Sequence, residues 1–302
     1  MTLRWWTVSG SVACAVASLV GCSGDDGAPA GVADGGGVAS DAGVDAPSST
    51  SDASSTQDAA PGADASREGA VDASVDSGHS GWVASIVGVG YGGLRVVSRD
   101  NGVTWKNRAE LAMSGGDDNN LLRGIAYGNG IWVTVGWRVF KSMDGAITWN
   151  EQTPPQGCGL MEGVSFGAGH FIGTCGTDAF ESSDGTTWTR VAMVGDTGGH
   201  TYVFFVNGLF YSSGDSKKSY SSPDGHTWSE LVGTQAVAFC DGRLQTRAAC
   251  PGFWNGGMYL STQWESKITR STDAVHFATV FDDPGNNAPY TEYSFALGES
   301  PP

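Results

Sequence analysis

The segment Ser98-Arg99-Asp100-Asn101-Gly102-Val103-Thr104-Trp105 decides the fold, because versions of it return four times along the 302-residue chain. The later copies occupy residues 142–149, 182–188, 222–228 and 271–277, and we call all five the Ser-Asp segments. Their closing aromatic residues are 44, 39, 40 and 49 positions apart. A period of about forty residues is typical of propellers and other repeat architectures.

Each Ser-Asp segment has the residue types of a tight structural turn. An aspartate accepts hydrogen bonds from turn amides, glycine supplies a positive φ, and serine and threonine satisfy further polar groups. The fifth copy is decayed, with Ala274 and His276 in place of the glycine and the later threonine. The closing aromatic residue is expected to cover the turn. We therefore predict structural, not catalytic, roles for Asp100, Trp105, Asp144, Trp149, Asp184, Trp188, Asp224, Trp228, Asp273 and Phe277.

Strand signals surround each Ser-Asp segment. The pairs Asn129-Gly130, Ala168-Gly169 and Asn207-Gly208 each separate two largely apolar runs, which predicts antiparallel hairpins. A third strand leads into each segment, and the residue two places before each serine is mostly large and apolar: Val96, Phe140, Phe180, Tyr220 and Thr269. With a strand after the closing aromatic residue, each unit has the four antiparallel strands of a propeller blade.

The two ends of the repeat region complement each other. The first unit begins at Trp82 with a strand of the second type and lacks an innermost strand. Residues 290–298 have the pattern of an innermost strand with no further strand after it. Pairing the two removes exposed strand edges. We therefore predict an all-β, five-bladed β-propeller over residues 81–302, with four-stranded antiparallel blades and the C-terminal strand closing blade 1.

The Ser-Asp segments resemble the Asp-box, or bacterial neuraminidase repeat (BNR), of sialidase-like β-propellers. The first copy matches the pattern S-x-D-x-G-x-T-W at every defined position, whereas the third and fourth are one residue shorter. In that family the box is the hairpin turn between the third and outermost strands of a blade. The resemblance also implies an alternative function, that of a sialidase-like or other exo-acting glycoside hydrolase.

Several features of the sequence count against a sialidase. Sialidases have six blades, an Arg-Ile-Pro motif without a counterpart here, and three arginines that bind the substrate carboxylate. The nine arginines of residues 81–302 occupy no repeated position. We therefore assign no catalytic residue. The spacing of cysteine and histidine matches no zinc motif, so neither a metal nor a cofactor is expected.

The N-terminal residues indicate export and attachment to a membrane. After Arg4, an apolar run ends in Leu19-Val20-Gly21-Cys22, which resembles the lipobox of bacterial lipoproteins. We predict a signal peptide over residues 1–21 and lipidation of Cys22, whose acyl chains anchor the protein in a membrane. Ser23, in place of an aspartate, favours the outer membrane or cell surface by resemblance to Gram-negative lipoproteins.

Residues 22–80 are predicted to be a disordered linker between this anchor and the propeller. From residue 23 to residue 80 the chain has eleven acidic residues, one basic residue and no aromatic residue. Such a segment cannot bury enough apolar surface to offset the entropy cost of ordering. The whole chain has a net charge of -16, which argues against a nucleic-acid partner.

Four cysteines remain when Cys14 leaves with the signal peptide and Cys22 is lipidated. In an exported protein an even number of cysteines suggests disulfides. Three pairings are possible. We prefer the pairing of sequence neighbours, Cys158–Cys175 and Cys240–Cys250.

The candidate ligand site is predicted on the propeller face opposite the Ser-Asp segments. Arg123 and Glu162 lie at the starts of innermost strands, near the mouth of the channel. A loop over residues 251–266 carries Trp254, Tyr259 and Trp264, whose rings could stack on sugars. We therefore predict a monomeric binding or scaffold module for a glycan or protein ligand, with a glycoside hydrolase as the alternative.

Overall fold

The computed structural model describes residues 79–111, 119–192, 199–214, 218–232, 237–263, 267–282 and 294–302. The signal peptide, Cys22 and nearly all of the predicted linker lie outside these residues. The regular structure is antiparallel β-sheet, apart from two short 3-10 turns at Tyr91–Gly93 and Arg247–Ala249. In the part of the chain described, no helix has the length and apolar character needed to cross a membrane.

Five four-stranded sheets form the blades, and a separate two-stranded sheet forms a hairpin. Blade 1 contains β1 (Val83–Val89), β2 (Arg95–Ser98), β3 (Lys106–Ala109) and β22 (Ser294–Ser300). Blade 2 contains β4 (Leu122–Gly128), β5 (Ile131–Gly136), β6 (Val139–Ser142) and β7 (Asn150–Gln152). Blade 3 contains β8 (Gly163–Gly167), β9 (His170–Cys175), β10 (Asp178–Ser182) and β11 (Thr189–Ala192). Blade 4 contains β12 (His200–Val206), β13 (Leu209–Gly214), β14 (Ser219–Ser222) and β15 (Ser229–Glu230). The hairpin consists of β16 (Val237–Cys240) and β17 (Arg243–Thr246). Blade 5 contains β18 (Phe253–Trp254), β19 (Tyr259–Gln263), β20 (Lys267–Ser271) and β21 (Ala278–Asp282).

The predicted closure of blade 1 is confirmed. Strand β22 pairs antiparallel with β1 along its whole length, from Val83 opposite Ser300 to Val89 opposite Ser294. The indole of Trp132 in blade 2 donates a hydrogen bond of 2.9 Å to the carbonyl of Glu299. The last strand is therefore held both within its own blade and by the neighbouring blade.

The Ser-Asp segments form the turns between the third and fourth strands, as the sequence predicts. In the second copy the Ser142 hydroxyl donates to the Asp144 carboxylate at 2.8 Å, and the Thr148 amide donates to it at 2.9 Å. In the fourth copy the indole of Trp228 donates to the Gly225 carbonyl at 2.8 Å. Side chains thus satisfy turn groups that no strand ladder can reach.

The residues two places before each serine are buried, which confirms the predicted two-residue period of the third strands. Their exposed fractions range from 0% to 4%, for Val96, Phe140, Phe180, Tyr220 and Thr269. Val96, Phe140 and Tyr220 enter hydrophobic clusters that join neighbouring blades. Burial between blades therefore supplies the core of the ring, because a single blade has no closed interior of its own.

Each of three Ser-Asp segments also packs on the second strand of the preceding blade. Gly185 approaches Val133 of β5, Gly225 approaches Ile172 of β9, and Gly102 approaches Leu260 of β19. The contact of blade 1 with blade 5 is thus of the same kind as the contacts of blade 3 with blade 2 and of blade 4 with blade 3. The all-β fold of four-stranded antiparallel blades predicted from the repeats is confirmed, and the five such sheets among the described residues agree with the predicted blade count.

The region between blades 4 and 5 differs from the prediction in one respect. Residues 251–266 were expected to be a long loop, but they contribute β18 and β19, the two inner strands of blade 5. The preceding residues pair only with each other, as the hairpin of β16 and β17. The repeat spacing of 49 residues before the last Ser-Asp segment reflects this extra hairpin. Both predicted disulfides, Cys158–Cys175 and Cys240–Cys250, are present, each with a Cα–Cα distance of 5.9 Å.

Candidate functional site

Arg123 and Glu162 lie beside each other at the starts of neighbouring innermost strands. Arg123 is the second residue of β4, and Glu162 directly precedes β8. A Cβ added at Gly124 would lie 2.9 Å from the Val164 amide nitrogen, so the two strands approach closely here. Both side chains are half-buried. A basic and an acidic residue therefore lie on adjacent blades, at the starts of the innermost strands, where the candidate site is predicted.

The aromatic residues predicted to bind sugars do not form an exposed platform. Tyr259 is buried, with only 4% of its surface exposed, and its backbone lies opposite Trp254 in the sheet of blade 5. The Trp254 ring is half-buried and packs edge-on against Phe239 of the hairpin, with centroids 5.7 Å apart. Trp264 lies outside the described residues. Of the two predicted sugar-binding residues that the structure describes, only Trp254 keeps partial access to solvent.

An open groove of about 730 Å³ follows the outer strand of blade 1. Arg99, Lys106 and Arg108 line it together with Asp100, and Ile147 from the Ser-Asp segment of blade 2 forms its apolar side. Three basic residues against one acidic residue give this groove a positive formal charge on a chain whose net charge is -16. The Ile147 side chain is 49% exposed. The groove thus offers a basic and apolar surface that no pattern in the sequence predicts.

A cluster of two histidines and a glutamate lies between blades 3 and 4. His170 begins β9, Glu181 lies in β10, and His226 belongs to the Ser-Asp segment of blade 4. Three ligand atoms, one from each side chain, lie within 4.8 Å of one another. Spacing in the sequence could not reveal this cluster, because its members are 11 and 45 residues apart. Alignment of the repeats could have suggested the cluster, because the residues at the same positions of the preceding repeats also meet at an interface between two blades.

The aspartates of the Ser-Asp segments have the electrostatics of turn acceptors. Their pKa values all lie below the ordinary aspartate value. For Asp184 the largest cause is donation by the backbone amides of Thr187 and Thr186. For Asp144 partial burial raises the pKa, but hydrogen bonds from Thr148 and Ser142 outweigh that effect. A general acid requires a raised pKa, so these carboxylates are unsuited to proton donation near neutral pH.

The four-stranded antiparallel blades, packed against one another, define the protein as a β-propeller. No protein-family model matches the chain. No curated protein matches it in sequence.

Solved structures match the chain in fold. One is a nidogen/laminin complex, which is 14% identical, covers 71% of this chain and 98% of its own, and has a TM-score of 0.51. Another is YCF48 bound to D1 peptide, with 14% identity, 67% and 84% coverage and a TM-score of 0.31. A third is a catalytically inactive virginiamycin B lyase from Staphylococcus aureus with quinupristin, with 14% identity, 64% and 68% coverage and a TM-score of 0.37. At these identities the likeness concerns the fold alone.

Proposed function

We propose that this protein is a lipid-anchored bacterial lipoprotein whose Asp-box propeller binds a macromolecular ligand at the cell surface. The signal peptide, the lipidation of Cys22 and the linker to residue 80 are the sequence basis for the anchor. The Ser-Asp segments, with their aspartate-centred hydrogen bonds, are the basis for membership of the Asp-box family. The propeller then acts as a binding or scaffold module.

The groove along blade 1 is the observation that carries the binding proposal. It is open along its length, and its lining combines the basic side chains of Lys106 and Arg108 with the exposed Ile147. Such a surface suits an extended ligand with acidic and apolar groups, because charge complementarity steers the encounter and the apolar contact adds affinity. An acidic protein segment has both properties.

A protein ligand fits the described residues better than a glycan or a hydrolysed substrate. Stacking on sugars needs exposed ring faces, whereas Tyr259 is buried and Trp254 packs on Phe239. Glycoside hydrolysis needs paired carboxylates, one with a raised pKa. Among the described carboxylates, every resolved shift is downward, and Asp178 forms a 2.6 Å ion pair with Arg190.

Photocrosslinking from the two faces of the propeller tests the proposed surface. A photoreactive amino acid replaces Ile147 in the groove or, as the matched position, Val232, which is 88% exposed after the last strand of blade 4. We expect a crosslinked protein partner on cells from position 147 and not from position 232. Lys106→Glu should abolish the crosslink, whereas Arg243→Glu, an equal change of charge outside the groove, should leave it.

The reverse pattern would contradict the groove. Crosslinks from position 232 alone would move the ligand to the face of the inter-blade connections, near the pair Arg123 and Glu162. Binding on a glycan array that Trp254→Ala abolishes would indicate a lectin. Turnover of a fluorogenic sialoside or aryl glycoside would restore the enzyme alternative.

The anchor is tested separately by cell fractionation. The protein should sediment with membranes and be extracted by detergent, whereas Cys22→Ser should appear in the soluble exported fraction. The physical reason is that the affinity of a lipid anchor grows by about 0.8 kcal/mol for each buried CH₂ group. Unchanged sedimentation of Cys22→Ser would rule out lipidation as the means of attachment.

A further inference from the structure

We propose that His170, Glu181 and His226 form a binding site for a divalent transition-metal cation of the zinc type, bridging blades 3 and 4. This site is independent of the proposed ligand groove. The donor set of two imidazoles and one carboxylate is one that Zn²⁺ uses in proteins, with a further position left for water or another ligand.

The separations of the donor atoms suit a common cation. In tetrahedral zinc sites, metal–ligand bonds of about 2.0–2.2 Å place neighbouring donor atoms roughly 3.3–3.6 Å apart. Here His226 Nε2 lies 3.0 Å from one oxygen of Glu181, and His170 Nδ1 lies 3.9 Å from the other. These two distances bracket the required value, and all three donor atoms lie within 4.8 Å of one another. Side-chain rotations that draw the two imidazoles together would bring the donors around one ion.

A backbone hydrogen bond fixes the orientation of His170. Its Nε2 lies 3.0 Å from the carbonyl oxygen of Asp224. Because a carbonyl oxygen only accepts hydrogen bonds, the neutral imidazole carries its proton on Nε2 and keeps a lone pair on Nδ1. That lone pair faces Glu181. Metal-binding histidines in proteins are commonly oriented in this way, through a second hydrogen bond on the far side of the ring.

The neighbouring blade interface provides a comparison within the same molecule. Between blades 2 and 3 the equivalent residues are Ile131, Lys141 and Thr186, and the Lys141 ammonium lies 3.4 Å from the Thr186 hydroxyl. The Ser-Asp glycine packs on the second strand of the preceding blade at both interfaces, and here it does so without metal ligands and with a positive charge at the position of Glu181. The packing of the blades therefore does not require two histidines and a glutamate at these positions.

The position of the site indicates its effect on the protein. Its residues come from two strands of blade 3 and from the Ser-Asp segment of blade 4, so a bound cation would join two blades. The His226 side chain is 47% exposed, which leaves the ion accessible to solvent. Because the three donors converge only in the folded chain, Zn²⁺ should stabilise the native state by mass action.

Calorimetric titration with Zn²⁺ and urea unfolding test the site on the exported chain carrying Cys22→Ser. We expect one Zn²⁺ per chain, and a folding equilibrium constant about 100-fold larger when free Zn²⁺ is 100 times Kd. Glu181→Gln and His226→Thr should each weaken binding at least tenfold, the lower end of the loss seen even for supporting residues of metal sites. The variant His226→Thr introduces the residue that blade 3 has at this position.

The control variant is His276→Thr, which removes an exposed histidine from another Ser-Asp segment, where it lies 2.7 Å from Asp273. It should bind Zn²⁺ as the parent chain does. The proposal is wrong if the parent chain does not bind Zn²⁺, or if Glu181→Gln and His226→Thr bind it unchanged. If one of these two variants fails to fold, the other decides the question alone.

Discussion

The substitution Gly128→Ala tests how neighbouring blades pack at the centre of the ring. Gly128 ends the innermost strand of blade 2 and is buried. A Cβ added there would lie closer than 3.0 Å to three ring carbons of Phe166 in blade 3, a separation that real side chains essentially never show. The Phe166 ring is itself held by an edge-on contact with Phe171, with centroids 4.8 Å apart. The added methyl group therefore has no space without displacing two rings.

Overpacking of this kind costs about 1–3 kcal/mol, and we expect about 2 kcal/mol for Gly128→Ala. Equilibrium urea unfolding, followed by tryptophan fluorescence and circular dichroism, measures the loss. In the Phe166→Ala background the same change should be neutral or stabilise by about 0.5–1 kcal/mol, because alanine restricts the unfolded chain. The double-mutant cycle should then give a coupling energy of about 2 kcal/mol or more.

Gly159→Ala is the matched control, since a Cβ at this exposed position meets nothing within 4 Å. It should change the free energy of unfolding by no more than about 0.5 kcal/mol. A coupling energy below about 0.5 kcal/mol between Gly128→Ala and Phe166→Ala would refute the packing of inner strands described above. Equal destabilisation by Gly128→Ala and Gly159→Ala would refute it as well.

Three further predictions concern the turns and the disulfide. The turn aspartates have lowered pKa values in the folded chain. The stability that they add to the folded state is therefore complete above the unfolded pKa near 3.8, and it is lost as the pH falls from there through the lowered pKa of the folded chain. Urea midpoints that stay constant from pH 6 to pH 3 would contradict this. Trp228→Phe leaves the Gly225 carbonyl without its 2.8 Å hydrogen-bond donor, so it should lower the free energy of unfolding in urea by about 1–3 kcal/mol. The control Trp137→Phe, at a 38% exposed site, should lower it by less than about 0.5 kcal/mol. Replacing Cys158 and Cys175 by serine opens a loop with a sequence separation of 17 and should cost about 3 kcal/mol, seen as a lower urea midpoint. When both chains are measured under reducing conditions, which also open Cys240–Cys250, the variant and the parent should have equal midpoints. A difference between them there would contradict the loop-entropy account.

The repeated segments could be interpreted from sequence because their chemistry is local. In a Ser-Asp segment the hydrogen bonds join residues at most four positions apart, such as Thr148 to Asp144. A turn of this kind is specified by its own residue types, whichever blade carries it. The largely apolar position two places before each serine is local for the same reason, and the structure confirms its burial.

The fifth repeat could not be divided correctly from sequence. Both the segment over residues 237–246 and that over 253–263 have the residues of short strands, and only one of them can fill the inner half of blade 5. The choice depends on which segment packs against blade 1, where Phe253 lies 5.8 Å from Phe295. That contact joins residues 42 positions apart, and no local pattern encodes it.

The sequence alone determined that the chain folds into four-stranded antiparallel blades and which segments form their turns, because a repeated pattern specifies both. It also predicted the partner of the last strand, because the first repeat lacks an innermost strand. The tertiary structure alone decided which side chains from different repeats meet. The His170, Glu181 and His226 cluster, the basic groove along blade 1 and the burial of Tyr259 all arise from contacts between blades. Such contacts depend on how the ring closes in space, so residues distant in the chain become neighbours only after folding.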